Sequence, residues 1–320
     1  MLRSLFASAT LLLTLSASAQ GGFTCGNNEL HRMESLHQNR PDRLQDIVDG
    51  NAQLEAETQQ WLANEDRGGG GPYILPVVFH IIHNNGLENI SDEQVLDAMR
   101  ILNEDFNKLN SDWQNVNAAF LGIVADIGVE FRLAQKDPDG NCTKGITRTI
   151  SALTNDGTQT MKDLIQWPRN KYLNIWVAAS ADGAAGYTYL PGTVNNGWGV
   201  AADGIVILHD YTGSIGTSSV SRSRALTHEV GHWINLKHTW GGTNSPGDPG
   251  NCSDDDSVSD TPNTIGWTSC NLGGASCGSA IDNVENYMEY SYCCKMFTEG
   301  QKDRMLAALN SNTAQRNNLW

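Results

Sequence analysis

A mixed α/β (α+β) domain is predicted by three features of the chain. Residues 74–83 (ILPVVFHIIH) form an apolar, β-branched run of the kind buried strands carry. Residues 91–107 carry helix signals, and further strand-like runs follow at 129–133, 172–177 and 204–208, so strands and helices are interspersed along the chain. With 320 residues and 39% hydrophobic content there is enough apolar side chain for one or two cores, which favours one larger domain with a smaller appendage.

In chain order, residues 1–19 begin with Arg3, run through Leu11, Leu12, Leu13 and Leu15, and end Ser16-Ala17-Ser18-Ala19 before Gln20. This is the layout of a secretory signal peptide, and its apolar part is well short of the ~20 residues that a membrane span requires. No other stretch is long and apolar enough to span. Residues 20–67 are polar, with apolar marks at Leu30, Met33, Leu36, Leu44 and Ile47 that predict one or two small helices. The four glycines at 68–71 predict a flexible, protease-accessible linker. His80 and His83 lie in the first strand and are read as core or sheet-edge residues, and His31, His37 and His209 have no metal-binding spacing. Ser91 is placed as an N-cap with Gln94 three residues on, ahead of Val95, Met99 and Leu102 on one helical face. The Gly-, Ser- and Asn-rich residues 241–250 read as a loop, and no internal repeat is visible.

Acidic residues outnumber basic ones by 36 to 21, a formal charge of -15 that repels a phosphate backbone, so nucleic acid is not an expected partner. An exported chain allows disulfides, and seven cysteines follow the leader: Cys25, Cys142, Cys252, Cys270, Cys277, Cys293 and Cys294. The odd count leaves one thiol without an intramolecular partner, and Cys25 stands far from the rest.

Chemistry is concentrated in residues 228–238 (HEVGHWINLKH). On a helix His228 and His232 lie one turn apart on one face, so two imidazoles can bind one metal ion, while Glu229 can hold the metal's water rather than the metal. His238 is too far along to share that face, so the helix must turn beneath the metal for it to become a third ligand. Random placement would produce roughly 0.008 copies of the five-residue motif per chain, and roughly 0.0002 with the third histidine. Three histidines and a glutamate would also be costly polar cargo in an ordinary core.

The run 221–240 (SRSRALTHEVGHWINLKHTW) resembles the pappalysin family of metzincin zinc endopeptidases, closest to its cytophagalysin branch. Supporting blocks are PVVFHIIH from Pro76, FRLAQKDPDGN from Phe131, GITRT from Gly145, KYLNIWV from Lys171 and DGIVIL from Asp203. The resemblance covers most of residues 76–304. It implies a metzincin-like fold, with a twisted, mostly parallel sheet and an active-site helix, followed by an irregular C-terminal subdomain. Zinc would sit at the floor of the cleft between the two. Metzincins usually place glycine three residues after the second histidine. Asn235 stands there instead, and because asparagine tolerates the left-handed conformation it is expected at positive φ. Residues 286–290 (NYMEY) resemble the family's Met-turn, which implies that Met288 packs beneath the histidines and that Tyr290 hydrogen-bonds the reacting carbonyl. The resemblance further implies a calcium segment at 252–262, with Asp256 and Thr261 as ligands supported by Asp260 and a carbonyl near Ser259.

The family pattern implies a Cys252–Cys277 bridge and a second from Cys270 to a cysteine after the Met-turn. Cys293 is better spaced for it, which leaves Cys294 to pair with Cys142, although six cysteines allow many connectivities. Cys25, followed by Gly26, is expected to occupy the open zinc position and hold the precursor latent, as the family does. Together these readings divide the chain into a signal peptide (1–19), a propeptide with its linker (20–71), an N-terminal catalytic subdomain (72–238) and a C-terminal subdomain with the calcium loop and Met-turn (239–320). A secreted, monomeric zinc endopeptidase acting on proteins or peptides is expected, and the alternative is a secreted binding module that keeps a structural zinc. An edge strand within 186–191 is expected to align an extended substrate. Some relatives favour Arg or Lys on the primed side through acidic residues after the Met-turn. Here the segment is shortened, with Glu289 followed by Ser291, Tyr292 and two cysteines.

Overall fold

A strand without polar alternation must be covered on both faces, and β1 (Tyr73–His83) is, since every residue from Val77 to His83 is buried. In the computed structural model, which describes residues 23–26, 40–64 and 72–320, β1 lies inside a six-stranded sheet. The signal-peptide reading, His31, His37 and the glycine run lie outside the described residues.

Along one edge β1 pairs in parallel with β2 (Val129–Leu133) and then β3 (Ile146–Ile150), and along the other with β4 (Leu173–Ala178). β4 pairs in parallel with β6 (Ile205–Leu208), and β6 carries the antiparallel β5 (Gly186–Tyr187), so the order is β2-β1-β4-β6-β5. The expected edge strand within 186–191 is thus only two residues long. His80 accepts the core role: it is fully buried, its ring nitrogens lie 2.8 Å from Thr147 Oγ1 and 2.9 Å from Asn174 Oδ1, and burial lowers its pKa to about 4.

One face of the sheet packs against α2 (Asp92–Phe106) and α3 (Ala225–Trp233), joining Val77, Phe79, Ile175 and Ile207 to Leu102, Leu226 and Val230. Ser91 caps α2 by accepting from the Gln94 amide at 3.3 Å. The other face buries Trp176, Val206 and Tyr187 with Ile47 of α1 (Pro41–Ala63). Of the one or two small helices expected over residues 20–67, the part marked by Leu30, Met33 and Leu36 lies outside the described residues, and the part marked by Leu44 and Ile47 is one long helix of 23 residues. Its buried stripe is Ile47, Gly50, Leu54 and Thr58, and two of those four positions carry no apolar signal. Gly50 is required there, because a Cβ would lie 2.2 Å from the Gly192 carbonyl oxygen.

Residues 239–298 form irregular loops, and α4 (Glu299–Leu309) follows with a Thr298–Gln301 capping box. Beyond it, Arg316 is fully buried, donates to both Asp203 oxygens at 2.7 and 2.8 Å, and lies over the Trp233 ring at 4.0 Å. Trp233 Nε1 also donates to Asp203 at 2.9 Å, so the C-terminal segment latches the end of α3 to the start of β6. Replacing Arg316 by Ala leaves the Asp203 carboxylate buried with its nearest other cation, Arg169, 3.7 Å away. Arg316→Ala is therefore expected to destabilise the chain by about 3 kcal/mol in equilibrium denaturation.

Candidate metal centre

Helix α3 presents His228 and His232 on its inner face and then stops abruptly. Asn235 takes φ of 81°, its amide donates to the His232 carbonyl at 2.9 Å, and the Leu236 amide donates to the Gly231 carbonyl at 2.9 Å. That turn brings His238 back under the helix. The Nε2 atom of His232 lies 3.0 Å from that of His228 and 3.2 Å from that of His238. Each Nδ1 faces a backbone carbonyl: Tyr287 at 2.7 Å, Leu236 at 2.7 Å and Thr243 at 3.2 Å, respectively for His228, His232 and His238. A carbonyl can only accept, so each Nδ1 carries the proton and three Nε2 lone pairs converge. Burial also lowers the pKa of all three rings, to about 4 for His232, which keeps them neutral.

Lone pairs this close repel unless a cation lies among them. Ligands about 2.0–2.1 Å from a tetrahedral zinc stand roughly 3.3 Å apart, so the spacing fits that ion. The Cys25 sulfur belongs to the same cluster, all four candidate ligand atoms lying within 4.8 Å of one another. Next to it Glu229 is fully buried, neither carboxylate oxygen has a hydrogen-bond partner among the described residues, and burial raises its pKa to about 8. An orphaned buried carboxylate beside converging lone pairs is the arrangement a metal and its water would satisfy.

The surroundings hold these groups in place. Met288 is fully buried, and its sulfur stands 2.6 Å from where a Cβ on Gly231 would be, so Gly231 lets the Met-turn close against α3. His238 stacks on Trp240 with centroids 4.3 Å apart. Tyr290 is buried with its ring 5.0 Å from His238 and 5.7 Å from His228, and its hydroxyl donates to the Cys25 carbonyl at 3.0 Å. Cys25 is also buried, on an extended segment beside the edge strand. The Ala185 amide donates to the Thr24 carbonyl and the Gly26 amide to the Gly186 carbonyl, each at 2.8 Å.

Sequence reasoning missed Asn244 and Gly186. Asn244 Nδ2 donates to the Cys25 carbonyl at 2.7 Å while its oxygen meets the Tyr290 hydroxyl. A Cβ on Gly186 would stand 3.2 Å from the Glu229 carboxylate. Neither residue has a local pattern, and the only available signal was their place in a loop and in the expected edge strand.

Among the other site candidates, Thr261 Oγ1 donates to the buried Asp256 carboxylate at 2.8 Å, and burial raises the Asp256 pKa to about 7. Asp260 turns away from them, accepting from Thr298 Oγ1 at 2.6 Å and the Gly300 amide at 2.8 Å. Cys252 is bonded to Cys277 and Cys270 to Cys293. Cys142 and Cys294 form no disulfide: Cys142 is exposed, whereas the Cys294 sulfur is buried and donates to the Ser291 carbonyl at 2.9 Å. The pairing of Cys294 with Cys142 is thus replaced by a local hydrogen bond within the post-Met-turn segment.

Residues 156–310 match the Peptidase_M43 family model, described as pregnancy-associated plasma protein-A. An extracellular metalloprotease of Colletotrichum graminicola is 30% identical over 254 residues, 75% of this chain and 77% of the relative. A second, from Podospora anserina, is 29% identical over 320 residues, 93% of this chain and 94% of the relative. A promirolysin mutant of Tannerella forsythia superimposes with a TM-score of 0.78 at 30% identity, covering 92% of this chain and 96% of that one. Mature mirolysin of the same organism, in complex with a cleaved peptide, gives 0.69 at 33% identity over 78% of this chain and 96% of that one.

Because Met288 leaves no room for a side chain at position 231, Gly231→Ala is expected to push α3 and the Met-turn apart. Zinc affinity should fall about tenfold, checked by competition against a chromophoric chelator.

Proposed function

From the premise that this chain belongs to the Peptidase_M43, or pappalysin, family and is a zinc metalloendopeptidase, we propose an extracellular enzyme that is made as a latent precursor and hydrolyses peptide bonds in proteins. The observation that carries this is the convergence of three neutral Nε2 atoms beside the orphaned carboxylate of Glu229.

His228, His232 and His238 would hold the ion. When bound there, zinc supplies Lewis acidity, which makes water acidic near neutral pH and polarises a carbonyl. Glu229 takes the proton of the attacking water on a carboxylate oxygen and returns it to the leaving amine nitrogen. The Tyr290 hydroxyl donates to the scissile carbonyl oxygen as negative charge builds on it, and its present bond to a backbone carbonyl supports that role. The β5 edge, already pairing with residues 24–26, would align an extended peptide through its backbone. In the precursor Cys25 would occupy the position that water needs, and its sulfur within the histidine cluster supports this.

The chain is divided into a signal peptide (1–19), propeptide and linker (20–71), catalytic subdomain (72–238) and C-terminal subdomain (239–320). It acts as a monomer. A calcium ion would be held through Asp256 and Thr261 with a carbonyl near Ser259, and with Asp260 only if that residue exchanged its bonds to Thr298 and Gly300. Among the described residues no helix is long and apolar enough to cross a membrane.

The alternative, a secreted binding module, gains one observation: with Cys25 the site has four protein ligands, as closed structural sites do. Two variants separate the readings. Glu229→Ala should lose about 10³-fold in casein cleavage while keeping its zinc, as measured by metal analysis; cleavage that persists, or wild-type cleavage unaffected by a chelator, contradicts the assignment. Cys25→Ala precursor should cleave casein without processing, and unchanged latency would remove the switch.

A further inference from the structure

Substrate choice is set beside the scissile bond, and there the chain supplies a stand-in of its own. Two residues ahead of Cys25, Phe23 packs its ring edge-on against His228 at 5.0 Å and Tyr290 at 5.3 Å, and lies 6.1 Å from Tyr211. It sits in the wall of a cavity of about 1090 Å³ that runs from His228 and Tyr290 to Tyr211, Arg222 and Arg224. Residues after the Met-turn form the opposite wall.

The charges around this cavity are already matched. Arg224 donates to both Asp112 oxygens at 2.7 Å and lies 3.3 Å from Asp105. Arg222 pairs with Asp210 and covers the Tyr211 ring at 4.7 Å, and Glu104 is bonded to Arg100 at 2.7 Å. Glu289, the acidic residue that directly follows Met288, is buried; it accepts from Thr239 Oγ1 at 2.5 Å and the Trp267 amide at 2.7 Å. Among the described residues, every acidic group lining the cavity is thus spent on an arginine or on an internal donor. A lysine or arginine side chain entering there would meet three guanidinium groups, those of Arg100, Arg222 and Arg224, and no carboxylate left for it, whereas an aromatic side chain would find the ring edges and faces that Phe23 now uses.

We propose that this cavity selects an apolar, preferably aromatic, side chain next to the scissile bond, with Phe23 holding the place in the precursor. The inference rests on the peptidase reading and deepens it.

The zinc-loaded full chain, activated by proteolysis, is given a randomised peptide library and the cut sites are sequenced. At one of the two positions flanking the cut, Phe, Tyr, Leu or Met should occur at least about tenfold more often than Lys or Arg. A preference for Lys or Arg, or no preference, at both positions overturns the proposal and leaves the peptidase reading standing; no cleavage of any peptide overturns both. A second measurement needs no turnover. In the unprocessed precursor the Cys25 thiol should react with a thiol-specific reagent at least about fivefold faster in Phe23→Arg than in wild type, with Phe23→Leu close to wild type. Equal rates in Phe23→Arg and Phe23→Leu would show that the ring's seat takes any side chain and would overturn the proposal.

Discussion

Three imidazole lone pairs held within about van der Waals contact of one another are a standing electrostatic cost, and the rest of the site is arranged to impose it. Each ring is pinned through Nδ1 by a carbonyl from a different segment: Tyr287 in the Met-turn, Leu236 in the exit from α3, and Thr243 in the loop beyond. The rings cannot swing apart without breaking those bonds. A dication at their focus converts the repulsion into attraction, so metal binding and the local stability of three chain segments are coupled. The left-handed Asn235 is the hinge of this arrangement, because a helix that continued would carry His238 away.

Helix α1 uses the same hinge. Thr58 of α1 is within 3.4 Å of the Asn235 side chain, and Glu55 pairs at 2.7 Å with Arg304, whose Nε donates to the Asn235 carbonyl at 2.8 Å. Earlier in the chain, residues 24–26 pair with the β5 edge and bring Cys25 to the histidines. The N-terminal residues thus meet the rest of the chain at two places near the histidine cluster. Tyr290 and Asn244 both donate to the Cys25 carbonyl.

A formal charge of -15 does not extend into the cleft. There the acidic side chains are consumed by arginines or buried donors, and among the described residues the one buried carboxylate without a hydrogen-bond partner is that of Glu229. Net charge describes the surface that solvent sees, while selectivity depends on which charges in a pocket are left without a partner.

The sequence by itself determined the features that depend on near neighbours in the chain. The two-sided apolar run of β1, the Ser91 cap of α2 and the one-turn spacing of His228 and His232 are all set by local periodicity, and Asn235 at the helix stop is a local backbone preference. The length of α1 was less legible, because Gly50 and Thr58 interrupt its apolar stripe and are explained only by the surfaces they meet. Tertiary structure alone decided what meets across long stretches of chain: Asn244 and Tyr290 at the Cys25 carbonyl, Phe23 against His228, and Arg316 on Asp203. It also decided that Cys294 turns inward to Ser291 rather than out to Cys142. Contacts of that kind follow from how buried surfaces and unpaired polar groups are satisfied over the whole fold, and no stretch of a few residues contains that information.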